Sequence, residues 1–147
     1  MTALSANAAN PIGALRQKEA MRQYSFQVVS AGTIYQGSLV GMASQTTGCL
    51  AATDTASQWF VGLAQKKVVN ATSGTSRCEV VTGCEAYLLS SNILVTSIGV
   101  SAEVVDSATV DLAAGTTHHV EVGRIVEYID STHTWVWLGQ NKGVIAS

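Results

Sequence analysis

Three histidines, three cysteines and ten acids are the side chains that could bind a metal, attack a carbonyl or move a proton. His118-His119 followed by Glu121 is the one cluster of metal-capable groups. On a strand, neighbours point to opposite faces, so only His119 and Glu121 share one. Two ligands do not complete a site, and His133 would have to arrive from a turn, so no metal is expected. A Cys84–His119 couple is the nucleophilic alternative, but a reactive thiolate needs an electropositive setting, and Glu85 stands next to Cys84. No serine sits in the strand–turn–helix context of a nucleophile elbow. The acids fall in turns (Asp54, Asp106, Asp130) or alternate along strands (Glu79, Glu103), whereas glycoside chemistry needs a pair facing one cleft. Glycines are scattered through strand-like stretches, so none forms a phosphate cradle ahead of a helix. The residues therefore predict no enzyme, no catalytic residue and no cofactor.

Other side chains point to packing and contact. Trp135 and Trp137 share one face of a final strand and Val136 takes the other. Core packing is the first expectation for the tryptophans, and an interface anchor the alternative. Trp59-Phe60 places one ring on each face of a strand, which makes Trp59 a candidate contact with a partner or a sheet edge. Cys49, Cys78 and Cys84 are odd in number and lack CxxC spacing, so a reducing compartment and buried thiols acting as small hydrophobes are expected. Cys78 and Cys84 flank a glycine turn and are the one pair placed to bridge.

The elements that must hold these groups are nearly all strands. Residues 1–12 are small, polar and nearly uncharged, an extended arm ended by Pro11. Residues 13–23, GALRQKEAMRQ, alone have helix-forming composition, with sparse apolar positions. From Tyr24 the pattern is β: strands are expected over 25–29, 33–42, 49–52, 58–69 with a bulge or a close backbone approach at Gly62, 76–82, 85–89 and 93–100. A hairpin joins 102–105 to 109–112, with Val104, Val110 and Leu112 on one face. Residues 118–128, broken at Gly123, and 134–138 complete the set. The stretch 31–42, AGTIYQGSLVGM, reads as the organising strand, bending at its glycines. Roughly ten short strands at this spacing and no second helical segment predict an all-β domain, a compact antiparallel β-sandwich or small barrel. The division is 1–22 as an N-terminal arm, 23–139 as the β-domain and 140–147 as a tail.

Composition limits the partners. The 147 residues suit one domain. Charged residues are 12%, about half the usual share, so small uncharged side chains must cover much of the surface. That suits a protein packed against other copies or a large assembly better than a free monomer. A net charge of −2 without a basic run argues against nucleic acid. No run approaches the roughly 18 apolar residues of a membrane span, and the N-terminus lacks a signal-peptide pattern, so no membrane contact is expected.

In order, AGTIYQGSLVGM, WFVGLAQKKVVNATSG, EVVTG, AEVVDSATVDL and VGRIVEYIDSTHTWVWLG resemble the small capsid decoration (cement) proteins of tailed bacteriophages, from about Gln23 to Gly139. The resemblance implies a β-rich domain that binds the outside of the head lattice and stabilises it, without catalytic residues. It implies the phage major capsid protein as partner, self-association as a homotrimer on the head, and a virion location after synthesis in the bacterial cytoplasm. It also implies a contact role for an N-terminal arm, for which Pro11, Ile12, Leu15, Arg16, Met21 and Arg22 are the interface candidates together with Trp59. Removing residues 1–22 is expected to leave the domain folded. The alternatives are another virion β-module, from a tail tube or a head or tail fibre, and a carbohydrate-binding module using surface tryptophans.

Overall fold

The computed structural model describes residues 12–44 and 47–139, with Ser44 described by its backbone alone. The described chain is all-β. Its strands are β1 (Leu15–Arg16), β2 (Arg22–Gln27), β3 (Thr33–Ile34), β4 (Leu39–Ser44), β5 (Gly48–Ala51), β6 (Trp59–Ala64), β7 (Val68–Val69), β8 (Arg77–Thr82), β9 (Glu85–Ser90), β10 (Ser101–Val104), β11 (Thr109–Asp111), β12 (Glu121–Asp130) and β13 (His133–Leu138).

Two rolled sheets share these strands. In the first, β9, β11, β10, β12 and β13 follow one another and β13 returns to β9, closing a five-stranded barrel. The closing pair is antiparallel from His133↔Leu89 to Trp137↔Glu85, while β9 and β11 run parallel. In the second, the order is β2-β8-β6-β4-β5. Its two edges meet where Val28 bridges Cys49 and the Val29 amide donates to the Cys49 carbonyl at 2.9 Å. A separate pair, β3 with β7, flanks it.

Alternation along the strands builds two cores. Ala86 and Leu88, Val104, Val110, Ile125, Val136 and Leu138 fill the barrel, and Leu39, Phe60, Leu63 and Val81 of the second sheet join that cluster. The opposite face of the second sheet encloses Val28, Val40, Met42, Cys49, Trp59, Val61, Cys78 and Val80. Strand β6 is buried along its whole length because it serves both. Trp59 and Val61 point into the smaller core, yet Leu63 points into the larger one. The side-chain phase therefore slips at Gly62, where the register with β4 shifts and φ is +149°. Both readings of that glycine hold: the strand bulges there, which moves Leu63 into the larger core, and the backbone passes so close to Val80 that a side chain would overlap it.

Several expected elements are rearranged. The helix-like composition of 13–23 does not form a helix. The Gly13 amide donates to the Tyr87 carbonyl at 2.9 Å and the Tyr87 amide to the Ala14 carbonyl at 3.0 Å, which lays β1 on the edge of β9. Gln17 then takes a positive φ and ends the strand. Tertiary pairing outweighs a propensity worth only tenths of a kcal/mol per residue. Residues 13–16 of the expected N-terminal arm thus belong to the protein's own barrel, and Arg22 opens β2 of the second sheet. The organising stretch 31–42 is divided, β3 and β4 being separated by a turn at Gly37. The stretch 58–69 is likewise divided into β6 and β7. Residues 93–100 form no strand but a single 3-10 turn, Val95–Ser97. Gly123 lies inside β12 and does not break it: a side chain there would overlap the Trp137 carbonyl oxygen of β13. The hairpin of β10 and β11 forms as read, with Val104 opposite Val110.

One buried side chain ties the second sheet to its flanking loops. The Asn70 amide nitrogen donates to the carbonyls of Val28, Val29 and Gly74 at 2.8, 3.2 and 3.3 Å, and its oxygen accepts from the Ser76 amide at 3.0 Å. Replacing Asn70 by Ala strands these groups away from water, so Asn70→Ala is expected to lower stability by about 3 kcal/mol in denaturant unfolding. A loss below about 1 kcal/mol would show that the loops do not depend on it.

Candidate interaction surfaces

The groups capable of chemistry are held apart. His119 directs Nδ1 at Glu103 Oε1, 2.9 Å away, and Thr116 also donates to that oxygen. His133 opens β13, where its Nδ1 is 2.9 Å from Asp130 Oδ1 at the end of β12. The Thr132 amide and His133 together hold the Asp130 carboxyl below its ordinary range. Among the described residues no three histidines, cysteines or acids gather as a metal site would require.

The thiols are sealed. Cys49, Cys78 and Cys84 are free and buried. Burial pushes Cys84 up to about 11, with Lys18 pulling the other way and Glu85 adding to the rise. The thiols that meet are Cys49 and Cys78, inside the smaller core. Their mutual hydrogen bond lowers the one and raises the other, and burial adds to the rise of Cys78. The Cys78–Cys84 juxtaposition read from the glycine turn does not occur, because the two side chains enter different cores.

The interface candidates fall into three groups. Pro11 lies outside the described residues. Trp59 is 7% exposed and packed in the smaller core, so it offers no outer contact. Both faces of β6 are core, so Phe60, on the other face, is enclosed as well. The remaining candidates divide: Ile12 and Leu15 are half-buried on a strap over the barrel, Leu15 against the main core, while Met21 and Arg22 are exposed where the chain enters β2 of the second sheet.

Arg16 fastens that strap. Its Nε donates to Glu85 Oε1 and its Nη2 to Glu127 Oε1, both at 2.6 Å. The guanidinium carbon lies 4.0 Å from the Trp135 ring centroid. Partial burial works against its charge, but the carboxylates of Glu127 and Glu85 hold the proton more firmly than usual. Trp135 meets Tyr87 edge-on at 5.2 Å, and Tyr87 stacks on His133 at 5.5 Å. The expectation that Trp135 and Trp137 pack into the core is reversed. In β13 the buried positions are Thr134, Val136 and Leu138, and the tryptophans stand half-covered on the outer face. Val136 fits the narrow barrel interior, where two indoles would not.

The least expected surface lies between β9 and β10. Leu94 is 60% exposed, Val95 62%, Ile98 52% and Val100 44%. This ridge is not a loose loop. Ile93 and Ser97 are buried beneath it. Ser97 Oγ accepts from the Leu94 amide at 3.1 Å, and the Ser97 amide donates to the Leu94 carbonyl at 2.8 Å. The Gly99 amide donates to Ile125 at 2.7 Å, the Ile125 amide returns to Val100 at 3.0 Å, and Arg124 Nη1 donates to the Gly99 carbonyl at 2.8 Å. The sequence signal was the crowding of ILVTSIGV: too many large apolar residues for one strand face.

Two outcomes are expected. Arg16→Ala should lower stability by about 1 kcal/mol, a modest value because solvent screens a pair this exposed, and should change the Trp135 emission. Arg16→Lys should recover little of it, since an ammonium cannot bridge two carboxylates while stacking on a ring; full recovery would contradict the bidentate seat. The three thiols should stay unreactive toward a disulfide reagent at pH 8 in the folded protein and all react in denaturant. Rapid native labelling of any one would contradict the sealed cores.

No protein-family model matches the sequence, and a search of the curated proteins returns no match.

Proposed function

We propose that the protein is a structural component of a tailed-phage virion, a decoration protein that binds the outer surface of the head and stabilises the capsid lattice. One observation carries the reading: a rigid apolar ridge stands on the surface of a closed, weakly charged β-domain in which the chemically capable side chains are spent on local structure. The ordered strand motifs that resemble cement proteins support the same reading. Its partners would be the major capsid protein and further copies of itself, as a homotrimer on the head, and it would act from the virion exterior. The mechanism is mass action: binding the mature lattice and not its alternatives stabilises that lattice by the binding free energy. Several contacts engaged at once add avidity. A sugar-stacking role fits less well, since Trp59 is enclosed and Arg16 covers one face of Trp135.

The arm is the natural contact with the shell, but its boundary moves. Leu15 and Arg16 belong to the barrel, so cutting away residues 1–22 would strip a strand from the domain. The informative truncation ends at residue 11. Added to undecorated heads of the same phage, the full protein should co-sediment with them and raise their disruption temperature. The chain lacking residues 1–11 should keep its circular dichroism and bind more weakly. Heads that neither bind the full protein nor gain stability from it would overturn the proposal, and undiminished binding by the truncated chain would remove the arm from it.

A further inference from the structure

We propose that the edge of β9 around Tyr87 is a strand-accepting slot for an extended peptide carrying an apolar residue followed by an arginine, and that residues 13–16 of this chain occupy it as a tethered ligand. This holds whether or not the chain decorates a phage head, and it is tested on the free protein. Ring closure leaves the slot behind. The barrel closes through β9, β11, β10, β12 and β13, without β1. On their shared edge β11 covers only the end of β9, at Thr109↔Leu89 and Val110↔Ser90, and the Leu89 amide donates to the Ala108 carbonyl at 3.1 Å. Residues two apart on a strand present their amides to the same edge, so the Tyr87 amide and carbonyl open beside β11 with no strand of the ring to meet them. Ala14 and Gly13 meet them instead, at 3.0 and 2.9 Å.

Side chains make the slot selective. Leu15 packs against the main core. Arg16 is the cation between Glu85 and Glu127, 2.6 Å from each, and its guanidinium carbon lies 4.0 Å from the Trp135 ring centroid. A segment with a neutral or acidic residue in that place leaves two carboxylates without a cation, and this penalty selects arginine. Gly13 and Gln17 take positive φ on either side, so the ligand proper is four residues long. Such strand addition draws affinity from main-chain bonds and choice from the side chains that alternate along the segment.

The tether keeps the slot filled and lets it open. Residues 17–21 are exposed and lead to β2 in the other sheet. They approach the domain closely at Gly83, where a side chain would overlap the Ala20 carbonyl. Two main-chain bonds, one apolar side chain and one arginine seat make a weak ligand when free, and a short tether offsets that weakness with a high effective concentration. A rival peptide displaces the strap only where it is presented at comparable local concentration. The occupant that fits is a segment of a different protein. A second copy already holds its own strap on an identical seat, and trading straps between copies gains no contact.

The test vacates the slot in the full chain with Leu15→Asp/Arg16→Glu, checks the fold by circular dichroism, and titrates in a peptide with the sequence of residues 12–18 while following the Tyr87 amide chemical shift. The expected result is a saturable shift in the variant and binding about tenfold weaker in the wild-type chain, whose slot is filled. The same peptide carrying Arg16→Glu should give no shift. No saturable shift in the folded variant overturns the proposal, and so does equal binding of the two peptides. A dimer between the variant and the wild-type chain in sedimentation velocity gives the slot to a second copy and overturns its assignment to a foreign segment. If the variant unfolds, hydrogen exchange of the wild-type chain decides. The Tyr87 amide, bonded to the strap, should then exchange about tenfold or more faster than the Leu89 amide, bonded to Ala108 on the same edge. Equal protection of the two amides overturns a strap that can leave its slot.

Discussion

The return of β13 to β9 is the contact on which the other features depend. Once those strands pair from residue 85 to residue 89, Ala86, Leu88, Val136 and Leu138 must face inward, and Glu85, Tyr87, Trp135 and Trp137 must face out. A small barrel has room for the first set and not for the second. Closure also presses β12 against β13 so closely that residue 123 can carry no side chain, because the Trp137 carbonyl occupies its place. The outward acids and rings then make a seat that an arginine can fill, and Arg16 fills it. The N-terminal strap is thus a consequence of barrel closure.

Closure shapes the ridge in the same way. Strand β12 pairs with β13 on one edge and with β10 on the other, and the connection from β9 to β10 runs along it, meeting Ile125 at Gly99. Backbone bonds to Ile125 fix that connection in place. Ile93 is drawn into the core, and the apolar residues after it have no interior left to enter. The second sheet fills the space on the other side of the barrel through Leu39, Phe60, Leu63 and Val81. Exposed apolar bulk of this density is what the proposed role in an assembly rests on.

What could be read from the residues alone was mainly periodicity. The alternation of Cys78 and Val80 against Val81, the β10–β11 hairpin and the bulge at Gly62 all follow from local pattern, and all are present. All-β was legible for that reason. Long-range decisions were not. Nothing local in GALRQKEAMRQ indicates that the Tyr87 backbone waits to pair with it. Nor does Trp-Val-Trp state which face is the inside of a narrow barrel. Trp59 was legible as one ring of a divided pair, but not that both faces of β6 are core. The ridge has the composition of a strand, but the Ser97 cap and the positive φ of Gly99 turn the chain away from one.

In the proposed role the barrel is a piece of a larger assembly, with the strap securing the fold and the apolar ridge exposed on its surface. Cryo-electron microscopy of heads saturated with the protein tests that most directly. Ordered density is expected on the outer shell, with Val95 and Ile98 covered within the assembly. Bare heads after saturation, or bound copies whose ridges face open solvent, would contradict it.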